Sequence, residues 1–186
     1  MNGAQELKKI QSVPSHGESL KNTKEYDSNQ GMGRVSLNKS LPLNGENDFQ
    51  AFVVDSSIIP GSKKLTYVKT KQNCASTELS ATLAWYDMPG APGCTKCLIE
   101  DLDLVIKEVN NNGRPVSGTM KFPNGLTKKD GKNNVERIRL KSPGSKRYLI
   151  EVRSSASNFY GTSFGLIVTG CFKKTKRPRN NRRRRH

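Results

Sequence analysis

From residue 50 onward, apolar and polar residues alternate along the chain in short runs. The clearest run spans 78–86 and has four apolar residues at alternate positions: Leu79, Ala81, Leu83 and Trp85. A period of two residues places such side chains on one face of a β-strand. We therefore expect a strand whose apolar face, anchored by the large ring of Trp85, points into a core.

Further runs of this kind are separated by clusters of turn-forming residues such as MPGAPG and KSPGS. In the run 63–71, Leu65 and Tyr67 are expected to face inward. The other predicted strands are 50–55, 102–109, 135–140, 148–152 and 164–169, with a weaker candidate at 116–122. Several short strands divided by turns predict an all-β domain, an antiparallel, jelly-roll-like β-sandwich over residues 46–172.

The two ends of the chain differ from this middle part. Residues 1–45 are mostly polar and show no sustained period, which predicts a disordered or loop-like N-terminal segment. Residues 173–186 read KKTKRPRNNRRRRH, with nine of the chain's 32 lysines and arginines and no acid. Because this segment has no apolar side chain to pack, we expect a disordered basic tail.

Composition excludes several classes of protein. No apolar run approaches the roughly 18 residues that a membrane-spanning helix needs, and the N-terminus lacks the apolar stretch of a secretory signal. The chain has two histidines, and neither His16 nor His186 lies in a segment that would hold a general base in place. Ser163, in a Gly-Thr-Ser triplet, leads directly into a predicted strand. We therefore expect no catalytic residues and no serine-protease triad within this chain.

Five blocks of sequence are distinctive: LSATLAWYDMPG at 79–90, LIEDLDL at 98–104, NNVE at 133–136, and the strands at 144–152 and 164–170. In content and order they resemble the β-sandwich that follows the catalytic domain of certain subtilisin-like serine proteases, the subtilase family. The match departs from the family pattern at Glu100, where the family has Asn.

Two segments near the N-terminus resemble the catalytic domain of the same family, namely Met1-Asn-Gly-Ala and QGMGRVSL at 30–37. The resemblance implies that residues 1–45 are a remnant of the end of that domain, and that Met1 falls inside a family segment. It predicts a fragment, the C-terminal non-catalytic portion of a serine endopeptidase. The sandwich would stabilise or gate a catalytic domain, in cis or in trans, and a full-length protease would be secreted or vesicular.

The acidic residues of these blocks raise the question of a metal. Asp101 and Asp103 lie two residues apart and so share one face of a strand, which turns Leu102 and Leu104 toward the core. Because family members are often calcium-stabilised, the resemblance implies Ca²⁺ as a cofactor to consider. The alternative is a set of solvated or salt-bridged carboxylates. The candidate ligands are Asp87, Asp101, Asp103 and Glu136.

The four cysteines allow three pairings. Cys74 precedes one predicted strand and Cys171 follows the last, so these two meet if their strands are antiparallel neighbours. Cys94 and Cys97 form a lone CxxC in a loop, which is weak evidence for zinc and leaves either a local disulfide or free thiols. The secretory location of the family favours at least one disulfide.

The basic tail admits three roles: binding of a polyanion without sequence specificity, a nuclear address, or no partner at all. The first gives an alternative function, a stand-alone sandwich that binds polyanions or carbohydrate with the help of the tail. The candidate contacts are Arg177, Arg179, Arg182, Arg183, Arg184 and Arg185.

Overall fold

The computed structural model describes residues 41–43, 50–72 and 78–176. Their secondary structure consists of strands, and no helix in the described part of the chain has the length and apolar character needed to cross a membrane. The eight strands are β1 (Gln50–Ile58), β2 (Lys63–Thr70), β3 (Glu78–Trp85), β4 (Leu102–Val109), β5 (Val135–Lys141), β6 (Arg147–Ser154), β7 (Thr162–Gly170) and β8 (Phe172–Thr175).

The strands form two antiparallel four-stranded sheets, with the orders β1-β7-β3-β5 and β4-β6-β2-β8. Successive strands alternate between the sheets, as they do in a jelly roll. The predicted all-β sandwich is therefore confirmed. The weaker candidate strand at 116–122 is instead a loop that follows β4 through two single bridges, from Val109 to Pro115 and from Ile106 to Lys121. A positive φ at Gly118 interrupts its extended conformation.

The core lies between the two sheets. The alternating residues of β3 are buried as predicted, and Leu102 and Leu104 on β4 face them from the other sheet. The remaining strands supply one apolar face each to the same core, through residues that include Val68, Ile138, Ile150, Val152, Phe164, Leu166 and Val168.

The predicted inward direction of Leu65 and Tyr67 is wrong. Val68 is the residue of β2 that joins the main core, so Tyr67 and Leu65 point to the outer face of the sheet. There Tyr67 packs against Val109 and Leu149 in a separate small cluster. The pattern misled because β2 carries apolar side chains on both of its faces.

The sandwich also extends past its predicted end at residue 172. Residues 172–175 form β8, in which Lys173 pairs with Lys69, and Thr175 pairs with Tyr67. Strand pairing uses backbone groups, so a segment rich in lysine can form it. The ammonium group of Lys174 also lies 3.7 Å from the centre of the Phe52 ring. The rest of the predicted tail, 177–186, and residues 1–40 lie outside the described residues.

Gly170 closes β7 in a conformation that suits only glycine. Its φ is 135°, and a Cβ atom placed there would lie 2.2 Å from the carbonyl oxygen of Glu78. Gly165, on the same strand, has open space around the same position.

We expect Gly170→Ala to lower the free energy of unfolding by roughly 2–6 kcal/mol, since backbone strain and the clash with β3 add together. Gly165→Ala is the matched control and should be neutral or slightly stabilising. Urea denaturation of both variants measures the difference. Equal stabilities would contradict the close approach of β3 and β7 at Gly170.

Candidate functional site

Residues from the separate sequence blocks bond to one another at one end of the sandwich, which we call the motif end (residues 85–101, 130–136 and 155–162). Trp85 stands at its centre. Its indole Nε1 donates to the carbonyl oxygen of Glu100 at 2.7 Å. Its backbone N–H donates to the carbonyl of Asn134 at 3.2 Å, and the side-chain amide of Asn134 donates back to the Trp85 carbonyl at 3.1 Å. Trp85 is also part of the main core, so its predicted role as a core anchor is confirmed.

Asp87 ties the loop after β3 to the segment before β4. Its Oδ1 accepts the backbone N–H of Glu100 at 2.8 Å, and its Oδ2 accepts that of Ile99 at 3.0 Å. Both carboxylate oxygens therefore have backbone partners. The structure gives Asp87 a place in the loop connection, apart from the grouping of the other three candidate calcium ligands.

Those three, Asp101, Asp103 and Glu136, lie near one another and near a fourth acid, Asp130. The negative charges of Asp103, Asp130 and Asp101 all act on Glu136 and raise its pKa. We call these four residues the carboxylate cluster. Asp103 and Glu136 are at most 2% exposed, although they come from different sheets.

Two lysines bring positive charge to the carboxylate cluster. Lys129 forms an ion pair with Asp103, and Lys96 lies with its ammonium nitrogen 3.4 Å from Asp101 Oδ2. Within the ranges that the structure describes, no group of three or more His, Cys, Asp or Glu side chains is arranged to hold a metal ion. The cations that contact these acids are lysine ammonium groups, and calcium binding remains a prediction that the geometry does not support.

Glu136 is the most deeply buried acid of the cluster. It points inward from β5, and its Oε2 accepts the backbone N–H of Leu104 on β4. Burial, reinforced by the neighbouring acids, raises the pKa of Glu136 to about 9. The side chain is therefore neutral at physiological pH. Burial also raises the pKa of Asp103, although Lys129 opposes the shift.

Asp130 is a member of the cluster that the sequence analysis missed. Its Oδ2 accepts from the side-chain amides of Asn124 at 2.8 Å and Asn133 at 2.7 Å, and its Oδ1 accepts the backbone N–H of Lys132 at 3.0 Å. The sequence did carry a signal for this role, because Asp-Gly at 130–131 is typical of a turn in which the Asp side chain bonds the backbone two residues ahead.

Glu100, where the resemblance departs from its pattern, holds the loop between β6 and β7. It is 5% exposed. Its Oε1 accepts the backbone N–H groups of Phe159 at 3.2 Å and Tyr160 at 3.3 Å, and its Oε2 accepts from the hydroxyl of Thr162. This carboxylate has protein donors, which gives it a structural role.

The motif end also contains a disulfide between Cys94 and Cys97. Gly90 packs against it so closely that a Cβ there would lie 2.8 Å from the Cys97 carbonyl oxygen. Of the two alternatives for this CxxC, the structure has the local bridge. Cys171 is disulfide-bonded as well. Its predicted partner, Cys74, lies outside the described residues, but β3 and β7 are antiparallel neighbours as that pairing requires.

The remaining candidate residues lie elsewhere. Ser163 is the second residue of β7 and is exposed, as the prediction of a strand at this position implied. His16 and His186 fall outside the described residues. So do the six arginines predicted to contact a polyanion: Arg177, Arg179, Arg182, Arg183, Arg184 and Arg185.

Several large apolar side chains of the motif end are exposed. Tyr86 directly follows β3 and is 79% exposed, while Phe159 and Tyr160, just before β7, are 75% and 73% exposed. The paired strands place these residues at the same end, since Trp85 lies opposite Phe164. Met88 is 56% exposed in the same loop as Tyr86. We call Tyr86, Met88, Phe159 and Tyr160 the aromatic patch.

The raised pKa of Glu136 predicts a pH-dependent stability. The unfolded chain releases this proton near pH 4.5, whereas the folded protein keeps it to about pH 9. The free energy of unfolding should therefore fall as the pH rises between these values, by up to about 1.4 kcal/mol per pH unit.

Glu136→Gln keeps an acceptor for the Leu104 N–H without the titration, so most of this pH dependence should disappear, with a remainder from Asp103. Glu108→Gln, which removes a partly exposed acid, is the control and should keep the wild-type slope. Urea denaturation at pH 5 to 9 measures all three proteins. A wild-type slope in the Glu136→Gln variant would show that Glu136 is not the responsible group.

No protein-family model matches the chain, and no curated protein is significantly similar to it. The assignment of a function therefore depends on the residues and contacts described above.

Proposed function

We propose that this chain is the C-terminal, non-catalytic part of a subtilisin-like serine endopeptidase, in which the sandwich packs against the catalytic domain and stabilises it. One observation carries the proposal. The sequence blocks that resemble this family are separate segments of the chain, and residues of the first three blocks form one hydrogen-bonded network at the motif end. Trp85 and Asp87 of the first block bond to the second, and Trp85 bonds to the third.

This network argues against a chance resemblance to the family. A fortuitous match of short sequence blocks gives no reason for their polar residues to be partners. Here Asp87, Asn134 and Glu136 each use a side-chain atom to satisfy a backbone group in another block. These three blocks therefore form one structural unit, which supports a shared origin with the family's sandwich.

The aromatic patch is the surface we assign to the contact with the catalytic domain. Exposed apolar patches mark interaction sites, and aromatic residues and Met are enriched at interfaces. Asp87 and Glu100 tie down the two loops that carry the patch through half-buried hydrogen bonds. Loops that are already ordered lose little conformational freedom on binding, which favours affinity.

The proposed role of the sandwich is stabilisation by binding. A partner that binds only the folded catalytic domain adds RT ln(1 + [L]/Kd) to its stability, where [L] is the concentration of the sandwich and Kd its dissociation constant. When both lie in one chain, the effective concentration is about millimolar for a short linker. The proteolytic chemistry would belong entirely to the catalytic domain.

The test uses a subtilisin-like catalytic domain from a protease whose own sandwich carries the same sequence blocks, produced without that sandwich. Added in excess, the present chain should bind this domain and lengthen its half-life of thermal inactivation. Isothermal calorimetry measures the binding, and residual peptidase activity after heating measures the stabilisation.

The variant Tyr86→Ser, Phe159→Ser, Tyr160→Ser should keep its own melting temperature, because these side chains are exposed, and should bind at least about tenfold more weakly. The control Val53→Ser, Leu126→Ser removes apolar side chains away from the motif end and should bind as the wild type does. The absence of both binding and stabilisation would refute the proposed function. Equal binding by the two variants would instead show that the contact lies on another surface of the sandwich.

A further inference from the structure

A row of positive charges crosses the outer face of the second sheet. Strand register places Lys69 of β2 directly between Arg147 of β6 and Lys173 of β8. Adjacent strands lie about 4.8 Å apart, so the three side chains start from neighbouring backbone positions. They point away from the core, because the residues next to them along each strand are core residues: Val68, Tyr148 and Phe172.

Lys71 lengthens this row. It lies two residues beyond Lys69, on the same face, and its backbone N–H donates to the carbonyl of Cys171 at 3.1 Å. Lys69, Lys71 and Lys173 are exposed, and Arg147 is half-buried. We call Lys69, Lys71, Arg147 and Lys173 the cationic row.

Two acids of the second sheet, within the part of the chain that the structure describes, are bonded to cations outside the row. Glu108 accepts from Lys146 at 2.7 Å. Glu151, on the same outer face, is held by Lys107 and Arg153. Among the ion pairs formed within the described ranges, none neutralises a member of the row.

Such an arrangement is costly for the fold alone. Like charges directly opposite one another on neighbouring strands destabilise a sheet, and any polar residue would serve at an exposed position. What the arrangement provides is a rigid array of cations with aligned spacing. An array fixed by strand pairing is preorganised for a polymer that carries repeated negative charges.

We propose that the cationic row binds a sulfated polysaccharide. Two observations favour this polyanion over a nucleic acid. The chain carries disulfide-bonded cysteines at Cys94, Cys97 and Cys171, which is typical of oxidising, extracytoplasmic compartments. Proteins that bind single-stranded nucleic acid stack its bases on aromatic rings. Tyr67, two residues before Lys69 on the same face of β2, is only 7% exposed and offers no open ring for stacking. The inference is independent of the proposed protease function.

The basic tail would mask this surface in a binding assay, so the test uses the full chain with Arg182, Arg183, Arg184 and Arg185 all changed to Gln. In this parent, the row variant carries Lys69→Gln, Arg147→Gln and Lys173→Gln. The charge-matched control carries the same change at three exposed lysines elsewhere, Lys63, Lys128 and Lys132. Calorimetry with heparin, repeated over a series of NaCl concentrations, gives affinity and salt dependence for each protein.

We expect the row variant to bind heparin at least about tenfold more weakly than the parent, with the slope of log K against log [NaCl] reduced by roughly 2–3. The control should stay within about threefold of the parent. Equal losses in both variants would mean that only net charge matters and would overturn the proposal. So would tighter binding of a single-stranded oligonucleotide of equal charge than of heparin.

Thermal melting separates a binding role from a structural one. Removing like charges should leave the melting temperature of the row variant equal to or above that of the parent without heparin, while the rise that heparin produces in the parent is lost. A lower melting temperature without heparin, together with an unchanged rise on its addition, would show that the row supports the fold and does not bind the glycan.

Discussion

One buried carboxyl group joins the two sheets on the side where β4 and β5 meet. Glu136 points inward from β5 and accepts the N–H of Leu104, a donor on an edge strand that no neighbouring strand satisfies. The next donors along the same edge are satisfied by the loop that follows β4: Ile106 N–H by the Lys121 carbonyl, and Glu108 N–H by the Thr119 hydroxyl. This side of the sandwich is thus closed by hydrogen bonds. Because a buried unpaired donor costs about 1–3 kcal/mol, the carboxyl group of Glu136 helps to hold the two sheets together by accepting the Leu104 N–H.

The opposite side, between β1 and β8, is closed differently. A groove of about 760 Å³ runs there between the two edge strands, lined by residues that include Phe52, Val54 and Leu65. Lys174 lies over the ring of Phe52, and the ammonium group of Lys64 contacts the Ser56 hydroxyl across the groove. Lysine stems cover apolar surface while their charges stay in water, and charged side chains on an edge strand discourage pairing with other chains. Both sides of the sandwich therefore have unpaired edge strands. Hydrogen bonds satisfy the edge at β4, whereas lysine side chains cover the edges at β1 and β8.

The strands could be predicted from the sequence because a half-buried strand carries its own period of two, as β3 shows. The period of two fails where both faces of a strand carry apolar residues, and for this reason the predicted direction of Leu65 and Tyr67 is wrong. It also fails where strand pairing needs no apolar residue, and for this reason β8 was not predicted. Contacts at the motif end could be predicted only in part. The shared face of Asp101 and Asp103 follows from their spacing, but Lys129, Asp130 and Glu136 reach these acids through strand pairing and loop closure. A single sequence without an alignment carries no signal for such long-range partners.

The two proposed surfaces lie at opposite ends of the sandwich. Strand β6 connects them: the residue after its last position, Ser155, donates its backbone N–H to Asp101 at the motif end, while its first position, Arg147, belongs to the cationic row. From Arg147 to Ser155 the strand advances eight positions, which at a rise of about 3.3 Å per residue makes this separation roughly 26 Å. A partner seated on the aromatic patch would therefore leave the cationic row open to solvent. Because the patch is mainly apolar and the row is charged, salt should weaken contacts at the row and leave those at the patch largely intact. If both proposals hold, the two ends act independently, and a sandwich docked on a catalytic domain at one end holds that domain on a polyanionic matrix through the other.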